Sequence, residues 1–580
     1  MKFTRLTSRR RVMLQKKWLL KEFDKNRVVE ISKEFHISPL TSIILYNRGI
    51  CGSDEIAEFL KCDLEGLHDP YLLKDMEKAV SRINKARTDN EKITIYGDYD
   101  VDGITSIAIL YKHLSSMGFE VDYYVPDRIQ EGYGVNRGAL DKIRETGTKV
   151  LITVDTGITA VEETEYAREI GMDIIITDHH ECKEKIPNAY AAIDPKRKDC
   201  SYPFKNLAGV GVAFKLIQAL DSSCSVAELM DRYADLLCLG TVADISPLID
   251  ENRIIVTEGL KRFRSTKNIG LRALIDVSIN NEKAITTSTI GYIIAPRINA
   301  SGRLGCASRS VEMFLTDDRE RAYELANDLC KENTIRQQTE QQMFAEALEY
   351  IEQNPHIKDD KVLIIPHRNW HHGIVGIVSS KITEKFYKPS ILFAIDGDEA
   401  KGSGRSISGY NLFEALENCG GLLEKFGGHE LAAGLSIKTE NIEKFRAAIN
   451  EYAAVKLEEK VLVPTVSVDA IIKPAYITLE TVDEINRLQP FGVDNPTPVF
   501  AVRNIKIHKI STMSDNKHLR MTLLKENKFL DAVGFGMGEY YNYLKEGDII
   551  EVAFGLDIND YRGYKNVQLI LKDIKLMDVK

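Results

Sequence analysis

Four short clusters of acids and histidines carry the chemistry open to this sequence. The first is Gly97-Asp98-Tyr99-Asp100-Val101-Asp102-Gly103, directly after the apolar run Ile93 to Tyr96. The second, Val154-Asp155-Thr156-Gly157, and the third, Thr177-Asp178-His179-His180-Glu181, each follow an apolar run of the same kind. The fourth is Gly240-Thr241-Val242-Ala243-Asp244-Ile245-Ser246. The set is rich in Asp, holds histidines and contains no Cys. Hard oxygen donors with imidazole suit Mg²⁺ or Mn²⁺ better than structural zinc. Two such ions about 3.5–4 Å apart activate a water and stabilise the oxygens of an in-line displacement at phosphorus. A carboxylate between them would bridge both, and Asp155 is the natural candidate. One Asp-x-Asp after a strand is commonly only a turn or a helix cap. Four clusters in this order are not explained that way.

The elements around these clusters explain how they would meet. Apolar runs such as Val121–Val125, Val150–Val154 and Asp173–Thr177 alternate with helix-length stretches such as Ser106–Met117 and Ala160–Ile170. That pattern implies a parallel sheet covered on both faces. Three of the four clusters then sit at C-terminal strand ends, the edge where open α/β sheets bind ligands. So many close carboxylates repel one another unless cations neutralise them. Before this region, Ile44 to Leu73 has helical spacing. After it, Asp318 to Gln353 is long, polar and free of Gly and Pro, which predicts an exposed connecting helix. A second α/β pattern runs from Lys361 to Val455, and short alternating β-runs from Val466 onward predict a small β-barrel. The expected organisation is α/β and multidomain. It comprises a helical segment 1–75, a parallel-sheet domain 76–317, a connecting helix 318–355, a smaller α/β domain 356–458 and a barrel 459–580.

The 580 residues are 44% hydrophobic and 28% charged, which excludes a wholly disordered chain. No apolar stretch is long enough for a membrane span. The formal net charge of −9 argues against a protein that coats nucleic acid by bulk attraction. Local charge differs: the first 27 residues hold ten Lys or Arg against two Asp or Glu. No apolar core follows that basic run, so it is not a secretory signal. Nine scattered cysteines without a C-x-x-C pair fit a reducing, cytoplasmic setting.

Asp178-His179-His180 is the signature triplet of the DHH phosphoesterase family. Together with Asp98-Tyr99-Asp100-Val101-Asp102-Gly103, the sequence resembles the RecJ-type single-strand exonucleases of that family. Pro126 to Gly134 and Ala295-Pro296-Arg297-Ile298-Asn299-Ala300-Ser301-Gly302-Arg303-Leu304-Gly305 look like blocks of that type. Trp370-His371-His372-Gly373, Gly402-Ser403-Gly404-Arg405-Ser406 and Phe426-Gly427-Gly428-His429 look like the associated DHHA1 domain, and Pro490 to Phe500 is similar to the family's OB-fold. The resemblance implies 5′→3′ hydrolysis of single-stranded DNA to mononucleotides with two Mn²⁺ or Mg²⁺ ions. It places the metal ligands on Asp100, Asp102, Asp155, His179 and Asp244. Asp98 and Asp178 support them, His180 and Arg303 lie near the scissile phosphate, and Arg128 and Tyr133 hold the strand. Single-strand-binding protein and a helicase are the partners it implies, in DNA repair and recombination.

Gly402 to Ser406 reads as a nest of backbone N–H groups beside hydroxyls and a guanidinium, a loop suited to phosphate. Ser403, Arg405 and Ser406 are expected to hold a 5′-terminal phosphate, with His372, Gly428 and His429 alongside. On the barrel, Lys517, His518, Arg520, Tyr561, Arg562, Tyr564 and Lys565 are candidate strand contacts. Two other readings remain open. One is a relative that degrades short oligonucleotides or cyclic dinucleotides, against which the extra β-domain speaks. The other is a scaffold without activity, against which the filled ligand positions speak. Some members of the family continue into a further domain, and contacts made through it are not expected from these residues.

Overall fold

The computed structural model describes residues 16–128, 131–132, 134–279, 284–304, 307–561 and 563–577. Two compact units emerge, and they do not follow chain order. One combines Gly52–Ile335 with Leu488–Pro496; the other takes the chain up to Cys51, Arg336–Arg487 and the chain from Thr497.

The described chain begins with a short strand, β1 (Lys17–Leu20), and two helices, Lys25–Glu34 and Pro39–Asn47, in the second of these units. From Gly52 it builds the other unit around a parallel sheet. Its strands are β2 (Ile93–Gly97), β3 (Val121–Tyr124), β4 (Val150–Val154), β5 (Asp173–Thr177) and β6 (Ala191–Ile193), in the order β3-β2-β4-β5-β6. All neighbouring pairs are parallel. β2 and β4 are buried at every position, because both faces are covered. Side chains alternate between the faces. Ile95, Ile152 and Ile175 join one core with Val210, Phe214 and Leu237, while Tyr96, Leu151 and Ile176 join another with Leu140 and Ile143.

The helices that frame the site are α1 (Val101–Ser116), α2 (Gly209–Leu220), α3 (Val226–Ala243), α4 (Asp250–Phe263) and α5 (Ala295–Leu304). α3 opens on a capping box in which Ser225 and Glu228 satisfy each other's backbone N–H. The long connecting helix is present as α6 (Arg319–Gln353), divided between the units at Ile335, but it is not exposed all round as expected: Leu325, Leu329, Met343 and Ile351 are buried, because apolar residues recur among its polar ones.

The second unit holds α7 (His372–Phe386) and a mixed sheet. Its strands are β7 (Leu363–Arg368), β8 (Ser390–Asp396), β9 (Glu399–Arg405), β10 (Lys425–Gly428) and β11 (Ala432–Lys438), in the order β10-β11-β9-β8-β7. Only β7–β8 is parallel. Short strands β12 (Thr465–Val468) and β13 (Ala470–Ile471) lead to β14 (Phe500–Met513), β15 (His518–Lys525), β16 (Lys528–Gly534), β17 (Ile549–Tyr561) and β18 (Tyr564–Leu576). Pairing of β14 with β17 closes the expected barrel. The N-terminal segment is not purely helical: β1 pairs in parallel with β12. Trp18 Nε1 donates to Asp573 Oδ2 at 2.6 Å, and Lys575 Nζ lies 4.4 Å from the Trp18 ring centre.

Candidate metal centre at the edge of the parallel sheet

The C-terminal ends of β2, β4 and β5 and the end of α3 bring the four acidic clusters together. Asp100 caps α1, its Oδ1 accepting the N–H groups of Asp102 (3.0 Å) and Gly103 (3.2 Å). Asp102, in the first turn of α1, is 1% exposed. Its two oxygens accept the N–H groups of Gly209 (2.7 Å) and Val210 (2.8 Å) at the start of α2. Glycine is needed at 209, because a Cβ there would lie 2.7 Å from Asp155 Cβ and 2.8 Å from its Oδ1. At Gly103 a Cβ would lie 2.4 Å from the Asp98 carbonyl oxygen. Asp155 adopts φ +57°, a left-handed conformation that non-glycine residues hold only where their surroundings fix it.

His179 sits between the acids. Its Nε2 is 3.0 Å from Asp155 Oδ1 and 3.8 Å from Asp102 Oδ2, and its Nδ1 is 3.9 Å from Asp244 Oδ2. Ser246 donates to Asp244 Oδ2 at 2.5 Å. Donor atoms fall into three groups, each within 4.8 Å: Asp98, Asp100 and Asp155; Asp102, His179 and Asp244; and Asp155, His179 and His180. Asp98, expected only in support, thus stands among the possible ligands. Asp178 is occupied otherwise. Its oxygens accept the N–H groups of Ile158 (2.8 Å), His179 (2.7 Å) and His180 (3.2 Å), and the His180 Nδ1 at 2.7 Å.

The electrostatics match a site that wants cations. Burial, reinforced by Asp100, pushes the Asp98 carboxyl up to about 8. Burial and neighbouring carboxylates raise Asp102 and Asp155 well above the usual range, and burial raises Asp244. Burial lowers His179. Burial opposes a charge on His180 as well, but the hydrogen bond to Asp178 carries it up to about 9. Oxygen and imidazole donors at this density fit Mn²⁺ or Mg²⁺.

Other expected residues are partly assembled here. α5 lies against the first cluster. Asn299 Oδ1 accepts the Val101 N–H at 3.2 Å, and a Cβ on Gly302 would lie 2.7 Å from the Tyr99 carbonyl oxygen. Arg303 on this helix and Arg128 both bring positive charge to Tyr99, and Arg128 Cζ is 4.9 Å from its ring centre. Tyr133 lies outside the described residues. Sequence reasoning missed the amides of Gly209 and Val210. The run Ala208-Gly209-Val210-Gly211 carried the signal, since small residues at a helix start permit close approach.

In the second unit, the expected phosphate-binding nest is not a loop. Gly402 to Arg405 form the end of β9, and their backbone pairs with β8 and β11. The two glycines lie over Phe393 and Leu412, where a Cβ would clash. They serve sheet packing, and the amides are spent on the ladder. Ser403 and Arg405, two apart, share a face instead. Arg405 Nη1 donates to Ser403 Oγ at 3.1 Å, and both meet Gly376 of α7, one turn past His372. The Ser406 hydroxyl donates to the Tyr410 carbonyl at 2.7 Å. Gly428, at φ +146°, and exposed His429 form the turn between β10 and β11. The His371 and His372 rings stack with centres 5.4 Å apart. On the barrel, His518 Nδ1 accepts the Gly536 N–H at 2.9 Å, while Tyr564 is 79% exposed. Lys517, Arg520 and Lys565 are exposed, and Arg562 and the Tyr561 side chain lie outside the described residues.

A parallel sheet with acids and a DHH triplet at its edge, a second α/β domain and a closed barrel define a DHH phosphoesterase architecture. Family models agree: the DHH family N-terminal domain matches residues 92–241, the DHHA1 domain 359–455 and the RecJ OB domain 468–573. A single-stranded-DNA-specific exonuclease RecJ from Bacillus subtilis is 40% identical over 560 residues, covering 96% of this chain and 70% of that protein. The RecJ of Escherichia coli is 34% identical, covering 93% and 96%. The crystal structure of Thermus thermophilus RecJ with Mn²⁺ superposes with a TM-score of 0.83 at 27% identity, covering 97% of this chain and 80% of that one. The chain belongs to the RecJ family.

Proposed function

We propose that the chain is a metal-dependent exonuclease that hydrolyses single-stranded DNA from the 5′ end to mononucleotides. The carrying observation is the set of Asp and His donors gathered within 4.8 Å in three adjoining groups. Relatives named as single-stranded-DNA-specific exonucleases, one solved with Mn²⁺ and once more with Mg²⁺, support it. Asp98, Asp100, Asp102, Asp155, His179 and Asp244 would hold two ions. Bound there, Mn²⁺ or Mg²⁺ supplies Lewis acidity toward a phosphoryl oxygen and toward water.

The chain's own residues do the rest. Asp178 accepts a hydrogen bond from the His180 Nδ1–H, which fixes the ring and presents Nε2 to a phosphoryl oxygen. Arg303 stabilises charge developing on the phosphoryl group. Arg128 over Tyr99 holds the strand beside the first cluster. Ser403 and Arg405 bind the 5′-terminal phosphate, and Ser406 joins them once it releases the Tyr410 carbonyl. Action in the cytoplasm in repair and recombination, beside single-strand-binding protein and a helicase, completes this reading. No described helix is long and apolar enough to cross a membrane.

The test is 5′-labelled single-stranded DNA with Mn²⁺ or with EDTA. The label should leave first as a mononucleotide, with Mn²⁺ alone. Release first from the 3′ end, or release that persists in EDTA, overturns the reading.

A further inference from the structure

The side chains of the metal centre are carried by separate loops, and something must hold those loops in register. α4 begins Asp250-Glu251-Asn252-Arg253. The last three are buried: Glu251 and Asn252 are 0% and Arg253 3% exposed. Polar groups so deep are mostly bonded, although Asn252 Oδ1 and Arg253 Nε have no hydrogen-bond partner among the described residues. Glu251 receives Lys215 Nζ and the Tyr202 hydroxyl, each at 2.5 Å, and the His68 N–H at 3.0 Å. Arg253 donates to the Leu488 carbonyl at 2.8 Å and lies 3.9 Å from the Phe59 ring centre.

Asn252 does something different. Its Nδ2 donates to two carbonyls, Asn206 at 2.6 Å and Pro247 at 3.0 Å. Asn206 precedes by three residues Gly209, whose N–H grips Asp102. Pro247 follows by three residues Asp244, whose Oδ2 is held by Ser246. One side-chain amide therefore ties together the loops behind Asp102 and Asp244, two acids of a single candidate group with His179. Their carboxylates, brought within 4.8 Å of one another and of His179, repel each other in the absence of a cation.

We propose that Asn252 is a positioning residue that holds Asp102 and Asp244 at cation-binding distance, and so sets the affinity of the site for a divalent ion. It touches neither acid. The inference rests on the metal reading above and deepens it. A buried amide that spends both hydrogens on two loops fixes their separation before any ion arrives, which removes a reorganisation cost from binding. Groups that orient metal ligands from behind change affinity by about 10- to 100-fold when removed.

Calorimetric titration of the full chain with Mn²⁺ tests this. Asn252→Ala should weaken Mn²⁺ binding by about 10- to 100-fold and lower kcat at limiting Mn²⁺, with the KM for DNA unchanged. Asn252→Ser keeps one donor and should recover part of the affinity. The matched control is Asn450→Ala. Asn450, in the other compact unit, also bonds backbone through its side-chain amide: Oδ1 accepts the Lys361 and Val362 N–H groups, and Nδ2 donates to the Val362 carbonyl. It should lose stability in EDTA while keeping the wild-type Mn²⁺ affinity. Wild-type affinity in Asn252→Ala, or an equal loss in Asn450→Ala, overturns the proposal. Should neither Asn252 variant fold, hydrogen exchange on the wild type decides. Mn²⁺ should slow the amides of Leu207–Val210 and those of Ile245, Ser246 and Leu248 together, and slowing in only one stretch overturns the proposal. A wild-type chain that binds no Mn²⁺ instead removes the metal reading itself.

Discussion

Two of this protein's sheets collect opposite charges by opposite means. In the parallel sheet, every strand delivers its C-terminal end to one edge, so separate loops contribute their acids to one place, from one after β4 to three after β2. Negative charge accumulates there beyond what burial alone tolerates, and the carboxyls of Asp98, Asp102 and Asp155 rise accordingly. In the sheet of β7 to β11, neighbours mostly run in opposite directions and no common edge exists. Its polar pair comes from alternate positions of one strand, Ser403 and Arg405, set against α7. That pair is satisfied internally and needs no ion. A parallel edge thus gathers acids that call for a cation, whereas the antiparallel face sets a serine and an arginine that already bond each other.

The largest expected effect breaks the first half of this contrast. Asp155 belongs to two of the three donor groups. Asp155→Ala should lower nucleotide release by at least ~10³-fold, equivalent to several kcal/mol of lost transition-state stabilisation. Binding of single-stranded DNA, read by fluorescence anisotropy in EDTA, should change little. Retention of a tenth or more of the activity would remove Asp155 from the centre.

Next comes the stability of the metal-free protein. The raised carboxyls bind more protons in the folded than in the unfolded chain. Their contribution is full below the unfolded value near 3.8 and is lost as pH climbs through about 8 for Asp98. In EDTA, Tm should therefore fall by a few degrees between roughly pH 6 and pH 8.5, on the scale of about 2–4 °C per kcal/mol. Asp98→Asn should flatten that slope, and saturating Mn²⁺ should remove it by favouring the ionised forms. A metal-free Tm that rises over this range contradicts the assignment.

The same contrast explains what could be read from the amino acids. Asp98, Asp100, Asp155, Asp178 and His179 were legible because metal chemistry restricts residue type, and strand ends restrict place. Gly209 and Asn252 were not, because they act through backbone amides and carbonyls brought together only by folding. Gly402 to Ser406 was legible in composition but not in conformation. Two glycines suggest a loop, yet here they make room for Phe393 and Leu412 in the middle of a sheet. The pairing of β1 with β12 joins distant parts of the chain and leaves no local periodicity to find.

A smaller effect tests the anion side. Arg405→Ala removes the only guanidinium of the Ser403–Arg405 pair. It should cut the preference for 5′-phosphorylated over 5′-hydroxyl oligonucleotides by about tenfold, the scale of one charge-assisted hydrogen bond. Mn²⁺ affinity should stay at the wild-type value. An unchanged preference would show that β9 holds no terminal phosphate.

The smallest effects belong to the barrel, where exposed aromatic rings are the features to test. Two exposed aromatics mark different candidate paths for a strand. Tyr564 is 79% exposed at the start of β18. Phe529, on β16, is 57% exposed and packs edge-on to His508 of β14 with ring centres 4.9 Å apart. Base stacking on an aromatic ring is worth ~1–3 kcal/mol, and an isolated exposed ring falls at the low end. Tyr564→Ala should therefore weaken binding of long single strands by roughly three- to tenfold, without changing the hydrolysis of a dinucleotide. If Phe529→Ala weakens binding instead and Tyr564→Ala does not, the strand crosses the β14–β16 face rather than the β17–β18 turn.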